Sequence, residues 1–243
     1  MTYRGLSPRT KLIRWALFAI AVGIVLGTTM PFAVDGLIRL AGSAPERLPW
    51  VATRIIAFLS YFAIAGSVIY GLLLSTKILD AIAHRPVTFA LHQDLAAIGL
   101  GLAGIHVALL GLDATQPLGL AEMLIPFASS YRPLWVGVGQ LALYLVAIVT
   151  ASFYIRRRIG QRAWRVLHYV TFLAFAFTTA HGIMSGTDTA APWAWWTYVM
   201  TTMVVVFLTV YRIVDAVMTR RDRRARPEVT GPGPLELRSP TRG

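Results

Sequence analysis

The chain contains no cysteine. Disulfides, iron–sulfur ligation, thiolate zinc sites and the C-x-x-C-H attachment of a c-type heme are thereby excluded, so any heme must be held non-covalently. Acidic residues are scarce, with 11 Asp and Glu against 23 Lys and Arg and a net charge of +12. Charged side chains of both signs amount to only 14% of the 243 residues, while 56% are hydrophobic. That balance, gathered into long apolar runs, excludes an ordinary soluble domain and indicates an all-α integral membrane protein. The arginines cluster beside the apolar runs. Their excess therefore reads as membrane topology and attraction to anionic lipid headgroups, not as a nucleic-acid surface.

The runs predict a bundle of six transmembrane helices, at about Leu12–Val34, Trp50–Leu79, Thr88–Leu112, Leu134–Ile155, Ala163–Gly186 and Trp193–Val217. The first run follows a basic start and so resembles a signal peptide. It is too long for a typical signal-peptide core and none of its small-x-small sites is convincing, so it reads as an uncleaved helix. Pro86 is expected to bar a helix and to set the start of the third span. The longest connection, 113–133, holds an apolar piece, LGLAEMLIPF, suited to a short interfacial helix. The organisation is then an N-terminal segment with the first span and an outer loop (1–49), a six-span core's remaining five helices (50–217), and a basic, Pro/Gly-rich tail expected to be disordered (218–243).

Nineteen of the 23 Lys and Arg fall on the N-terminus, the second-to-third and fourth-to-fifth loops and the tail or on the span ends beside them, and only Arg39, Arg47, Arg54 and Arg132 on the other side. The positive-inside rule puts both termini in the cytoplasm of a multi-pass protein of the cell's inner membrane. All seven tryptophans lie at span ends, as in an interfacial belt.

Four of the five histidines sit inside apolar spans: His92 and His106 on the third, His168 and His181 on the fifth. Ionisable side chains are costly in a bilayer and usually face a partner, a cavity or a cofactor. Both spans enter from the cytoplasm, so His92 matches His168 near the inner face and His106 matches His181 near the outer. At 1.5 Å rise per residue the two levels are roughly 20 Å apart. Imidazole is a standard heme ligand, and two such pairs suggest two stacked hemes held between the third and fifth helices. Small residues support close approach of a flat ring: Gly99, Gly101 and Gly104 on one helix, Ala174, Ala176, Ala180, Gly182 and Gly186 on the other. Close helix packing explains such residues equally well. One feature opposes the scheme. Fourteen helical steps return to nearly the same face, but the 13 steps from His168 to His181 land roughly 140° away. Either the fifth helix is over- or underwound, or the hemes lie at different azimuths beside it.

These histidine spacings in a six-span chain, with the string WRVLHY around Trp164 and His168, resemble the ferric reductase-like transmembrane domain family. The string is similar to the heme-binding membrane subunit of bacterial periplasmic methionine sulfoxide reductase systems. The resemblance covers residues 50–217. It implies two b-type hemes carrying electrons from cytoplasm to exterior, with His92, His106, His168 and His181 as iron ligands. Family members that oxidise NADPH continue into flavin and nicotinamide domains. About 26 residues follow the last span here, with no G-x-G-x-x-G fingerprint among them. The expected donor is a separate cytoplasmic flavin reductase or a membrane quinol. The acceptor would be a periplasmic reductase, ferric iron or oxygen.

Heme propionates seek arginine and amide donors, which makes Arg165 a candidate at the inner heme, with Arg85 beside it, and Arg54, Arg132 and Gln140 candidates at the outer. Headgroup contact or snorkelling accounts for the same arginines. Arg156, Arg157 and Arg158 read as a topology signal or as a dock for an acidic donor. Asp94 reads as a helix N-terminal carboxylate, and His84 as a solvated loop residue. Tyr169, Phe172, Phe175 and Phe177 read as lipid or core packing. Two other functions remain open: a histidine-relay proton channel or transporter without heme, and a cofactor-free assembly protein.

Overall fold

Long apolar stretches without interior proline favour uninterrupted helix, and helix is what forms. The computed structural model describes Gly42 and residues 48–76, 84–113 and 118–225, with side chains to residue 219, and no strand occurs among them. The elements are α1 (Leu48–Thr76), α2 (Arg85–Leu110), a short α3 (Leu120–Leu124), α4 (Pro133–Ile159), α5 (Gln161–His168), α6 (Val170–Ser185) and α7 (Pro192–Ala225). Five helices are long and apolar enough to cross a membrane: α1, α2, α4, α5 with α6 as one, and α7 to Thr219. They coincide with five of the six expected spans. The expected first span at 12–34 lies outside the described residues, as does the tail from 226.

Helix ends follow local chemistry. Pro86 marks the start of α2 as expected, but from inside its first turn, where a missing N–H costs nothing, so the helix begins at Arg85 and not near Thr88. Pro133 opens α4 in the same way. α4 runs past its expected end to take Arg156, Arg157 and Arg158 into its last turn, where cations suit the helix dipole. Gly160 then breaks the chain at φ 85°, a conformation glycine adopts without strain. α7 continues through Ala225, so the expectation of disorder from Met218 is corrected for 218–225. Arginine is a good helix former, and the next proline is Pro227.

The LGLAEMLIPF piece does carry a short helix, α3. The Glu122 carboxylate accepts the backbone N–H groups of Gly119 (3.0 Å) and Ser130 (2.8 Å). These bonds, Gly119's first, hold it below the usual carboxylate range. Gln140 Nε2 donates to the Glu122 carbonyl at 2.7 Å and the Tyr144 hydroxyl to that of Leu124, mooring the connection on α4.

α1 packs along α2, α4 along α6, and α1 against α7 and α6, while α2 meets α4. α2 and α6 do not pack along each other; they stand diagonally, with α1 and α4 between. The buried cluster joins α1 (Tyr61, Ala65, Leu72), α6 (Phe175) and α7 (Tyr198, Val205, Leu208). Outward faces carry Ile98, Ile105, Met203, Phe207, Val210 and Ile213, all exposed. So broad an apolar surface belongs against lipid or other helices.

Candidate functional site

The site begins with a seven-residue repeat on α1. Thr53, Ser60 and Ser67 recur every seventh residue and are all buried. Seven residues nearly complete two helical turns, so the three hydroxyls form one seam. Along it α2 runs antiparallel. Thr53 Oγ1 donates to the His106 carbonyl (3.0 Å), Ser60 Oγ to that of Gly99 (2.8 Å) and Ser67 Oγ to that of His92 (3.0 Å). The 14-residue interval between the two α2 histidines is thus two repeats of a packed seam.

The same hydroxyl residues fix the imidazoles. His92 Nδ1 donates to the Ser67 carbonyl at 2.7 Å, with Ser67 Oγ at 3.1 Å. His106 Nδ1 donates to the Thr53 carbonyl at 3.0 Å, with Thr53 Oγ1 at 2.8 Å. On the opposite side of the bundle His181 Nδ1 donates to the Trp135 carbonyl at 2.9 Å. Each of these rings therefore keeps its lone pair on Nε2. An Nδ1–H anchored to a carbonyl is the support that orients a metal-binding histidine and raises its basicity. Two glycines make room. A Cβ on Gly139 would collide with the His181 ring, and one on Gly71 would lie 3.2 Å from His92 Cε1.

His168 is held by stacking instead. The Trp164 ring lies 5.0 Å away, centroid to centroid, at 24°. The helix changes immediately after it. Tyr169 N–H bonds the Val166 carbonyl (3.1 Å) and Phe172 N–H that of Tyr169 (3.2 Å), tight i to i+3 contacts that divide α5 from α6. A 3₁₀ turn advances about 120° per residue instead of 100°, so three such steps recover about 60° of the roughly 140° deficit. Tyr169 N–H also keeps the ordinary helical bond to the Arg165 carbonyl (3.3 Å), so local overwinding takes up only part of the deficit and about 80° remains.

Across the diagonal the histidines meet at two levels. The His92 and His168 ring centroids are 5.9 Å apart at 78°, and those of His106 and His181 6.4 Å apart at 74°. Two imidazoles gripping one metal through bonds of about 2 Å, with about 1.2 Å from nitrogen to ring centre on each side, have centroids about 6.4 Å apart. His106 and His181 have that separation, and His92 and His168 come within about half an ångström of it. Among the described residues no group of three or more His, Cys, Asp or Glu side chains could hold a metal ion. Any metal at either level would have two protein donors and would need the rest from its own chelate. At the arginine-rich end a cavity of about 1230 Å³ opens between α2 and α5–α6, lined by His92, His168, Gly71, Trp164, Arg85 and Arg165 among others. That space is ample for a large planar ligand.

The other expected residues divide. Arg165 lines the cavity beside His168. Arg54 is paired with Asp188, its Nε 2.6 Å from Oδ2, and lies over the Trp50 ring at 4.2 Å. Arg132 donates to the Met184 carbonyl. Gln140 is buried, its Nε2 committed to Glu122 and its Oε1 without a hydrogen-bond partner. His84 is exposed at the start of α2, as expected. Asp94 is corrected: α2 begins at Arg85, so Asp94 is its tenth residue, half-buried and beyond the reach of the N-terminal dipole. The glycines divide as well. Gly99 meets Ile64 of α1, Gly182 meets Tyr198 of α7, and Gly101 and Gly104 face open space. The first two serve helix packing, and none of the four borders a histidine ring. The sequence reading missed Thr53, Ser67, Gly71 and Gly139; the sevenfold hydroxyl spacing was the signal for the first two.

Comparison of the chain with family models, curated proteins and solved structures yields no match.

Proposed function

We propose that the protein is a transmembrane electron-transfer subunit of the ferric reductase-like kind, holding two b-type hemes. His92 and His168 would ligate the one at the arginine-rich, cytoplasmic end, and His106 and His181 the one at the outer end. The observation that carries this is the pair of centroid separations, 5.9 and 6.4 Å, with no third His, Cys, Asp or Glu donor grouped with either pair among the described residues. A macrocycle supplies the four missing in-plane donors; a bare ion has no such supply here. Bound heme iron takes up and releases single electrons without exchanging ligands. The protein's part is to fix the imidazoles. Ser67, Thr53 and Trp135 hold Nδ1, and Trp164 holds the ring of His168. About 20 Å between levels, with closer ring edges, divides the membrane into short hops.

The donor expected from the resemblance is a cytoplasmic flavoprotein or a membrane quinol, and the acceptor is periplasmic, in an inner-membrane setting. A proton relay is less well supported. Asp94 is the one carboxylate in α1, α2 and α4 to α6, whereas a relay calls for a chain of such groups. The test is a reduced-minus-oxidised spectrum of the purified chain after expression with ample heme. A bis-histidine b-type spectrum with two hemes per chain supports the proposal, and a colourless protein overturns it.

A further inference from the structure

His168 differs from the other three histidines in being oriented by an aromatic neighbour, and that neighbour has an unmet need of its own. Trp164 Nε1 is buried and has no hydrogen-bond partner among the described residues. An indole N–H is a donor only, and leaving it unpaired away from water costs about 1–3 kcal/mol. Trp164 lines the cavity at the arginine-rich end together with Arg165, the next residue on α5, Arg85 of α2, and His168 itself. A neutral donor and two cations around one cavity suit an anionic oxygen.

We infer that Trp164 is a bifunctional cofactor-positioning residue. Its ring sets the plane of His168, and its Nε1–H donates to a carboxylate of the tetrapyrrole in this cavity, with Arg165 beside it. The inference rests on the bis-heme proposal. It adds to that proposal a side chain that no arginine-based expectation had named, and it makes the indole N–H the explanation for a tryptophan at this position. Phenylalanine would stack on His168 equally well but could not donate.

Heme transfer to excess apomyoglobin tests it, because release from the two levels is counted separately as two kinetic phases. Trp164→Phe should speed one phase about tenfold, the effect of one hydrogen bond to a charged acceptor, and leave the other unchanged. Wild-type protein reconstituted with heme dimethyl ester should show the same acceleration without any substitution, which keeps the test independent of how well the variant folds. Trp164→Phe should then add nothing further to the ester's rate. Release of native heme from Trp164→Phe at the wild-type rate in both phases would overturn the inference while leaving the bis-heme proposal intact. A wild-type protein that takes up no heme overturns both.

Discussion

Gly139 and Gly71 carry no side chain, yet their neighbours make them the most sensitive positions near the histidines. A methyl at Gly139 collides with His181, whereas one at Gly71 is merely tight against His92 and one at Gly101 enters open space. Overpacking a fixed core costs about 1–3 kcal/mol. Gly139→Ala should therefore strip most of the heme from the outer level, Gly71→Ala should weaken the other level mildly, and Gly101→Ala should change nothing, as read from heme content. Thr53→Val removes a hydroxyl that closes a ring with His106 and should lower heme affinity at that level about tenfold, the lower end for a lost supporting contact. Sequence alone exposed the histidines, because a titratable ring in an apolar run demands explanation. It did not expose their partners: a serine or threonine in a membrane helix is unremarkable until its spacing is matched to that of another helix. The glycines divide for a related reason. Spacing places Gly101 and Gly104 between two histidines but does not say what lies beside them, and a Cβ on either meets nothing within 4 Å.

Among the helices, α5 and α6 show how a single irregularity aligns a site. The 13-residue interval looked out of phase, and the 3₁₀ turn at Tyr169 takes up part of the error. Nothing in WRVLHYVTF marks that turn, since no proline or glycine is present; it is imposed by packing. Helix existence was legible because apolar length decides it. Helix ends were less so, because Pro86 can open a helix as readily as end one. Two connections make their own predictions. Arg54 and Asp188 tie the start of α1 to the α6–α7 turn, with side chains 32% and 17% exposed. Asp188→Asn should lower thermal stability by about 1–2 kcal/mol, less than a fully buried pair would lose. Glu122 is ionised when it accepts Gly119 and Ser130. Its folded pKa is depressed, so its contribution is complete above the ordinary value of 4.5 and is lost as pH falls through the lower folded value. Amide exchange at Gly119 and Ser130 should accelerate only in that acid range, and in Glu122→Gln at every pH.

Taken as one body, the molecule is a diagonal arrangement in which α2 and α6 face each other through histidines and not through packed backbones. α1 and α4 supply the hydrogen bonds that hold three of those histidines, and Trp164 stacks on the fourth, His168. The arginine-rich end contains the large cavity, and at the opposite end Arg54 pairs with Asp188 and Arg132 donates to the Met184 carbonyl. Such a shape suits a conduit whose two ends meet different partners. The pairing itself is open to direct measurement by counting hemes per chain in double variants. His92→Leu with His168→Leu should retain one heme, as should His106→Leu with His181→Leu, because each removes both ligands of a single group. His92→Leu with His106→Leu should retain none. If that last variant kept the wild-type heme content, or if the wild-type chain bound no heme, the two-level arrangement of paired imidazoles would not be a heme site at all.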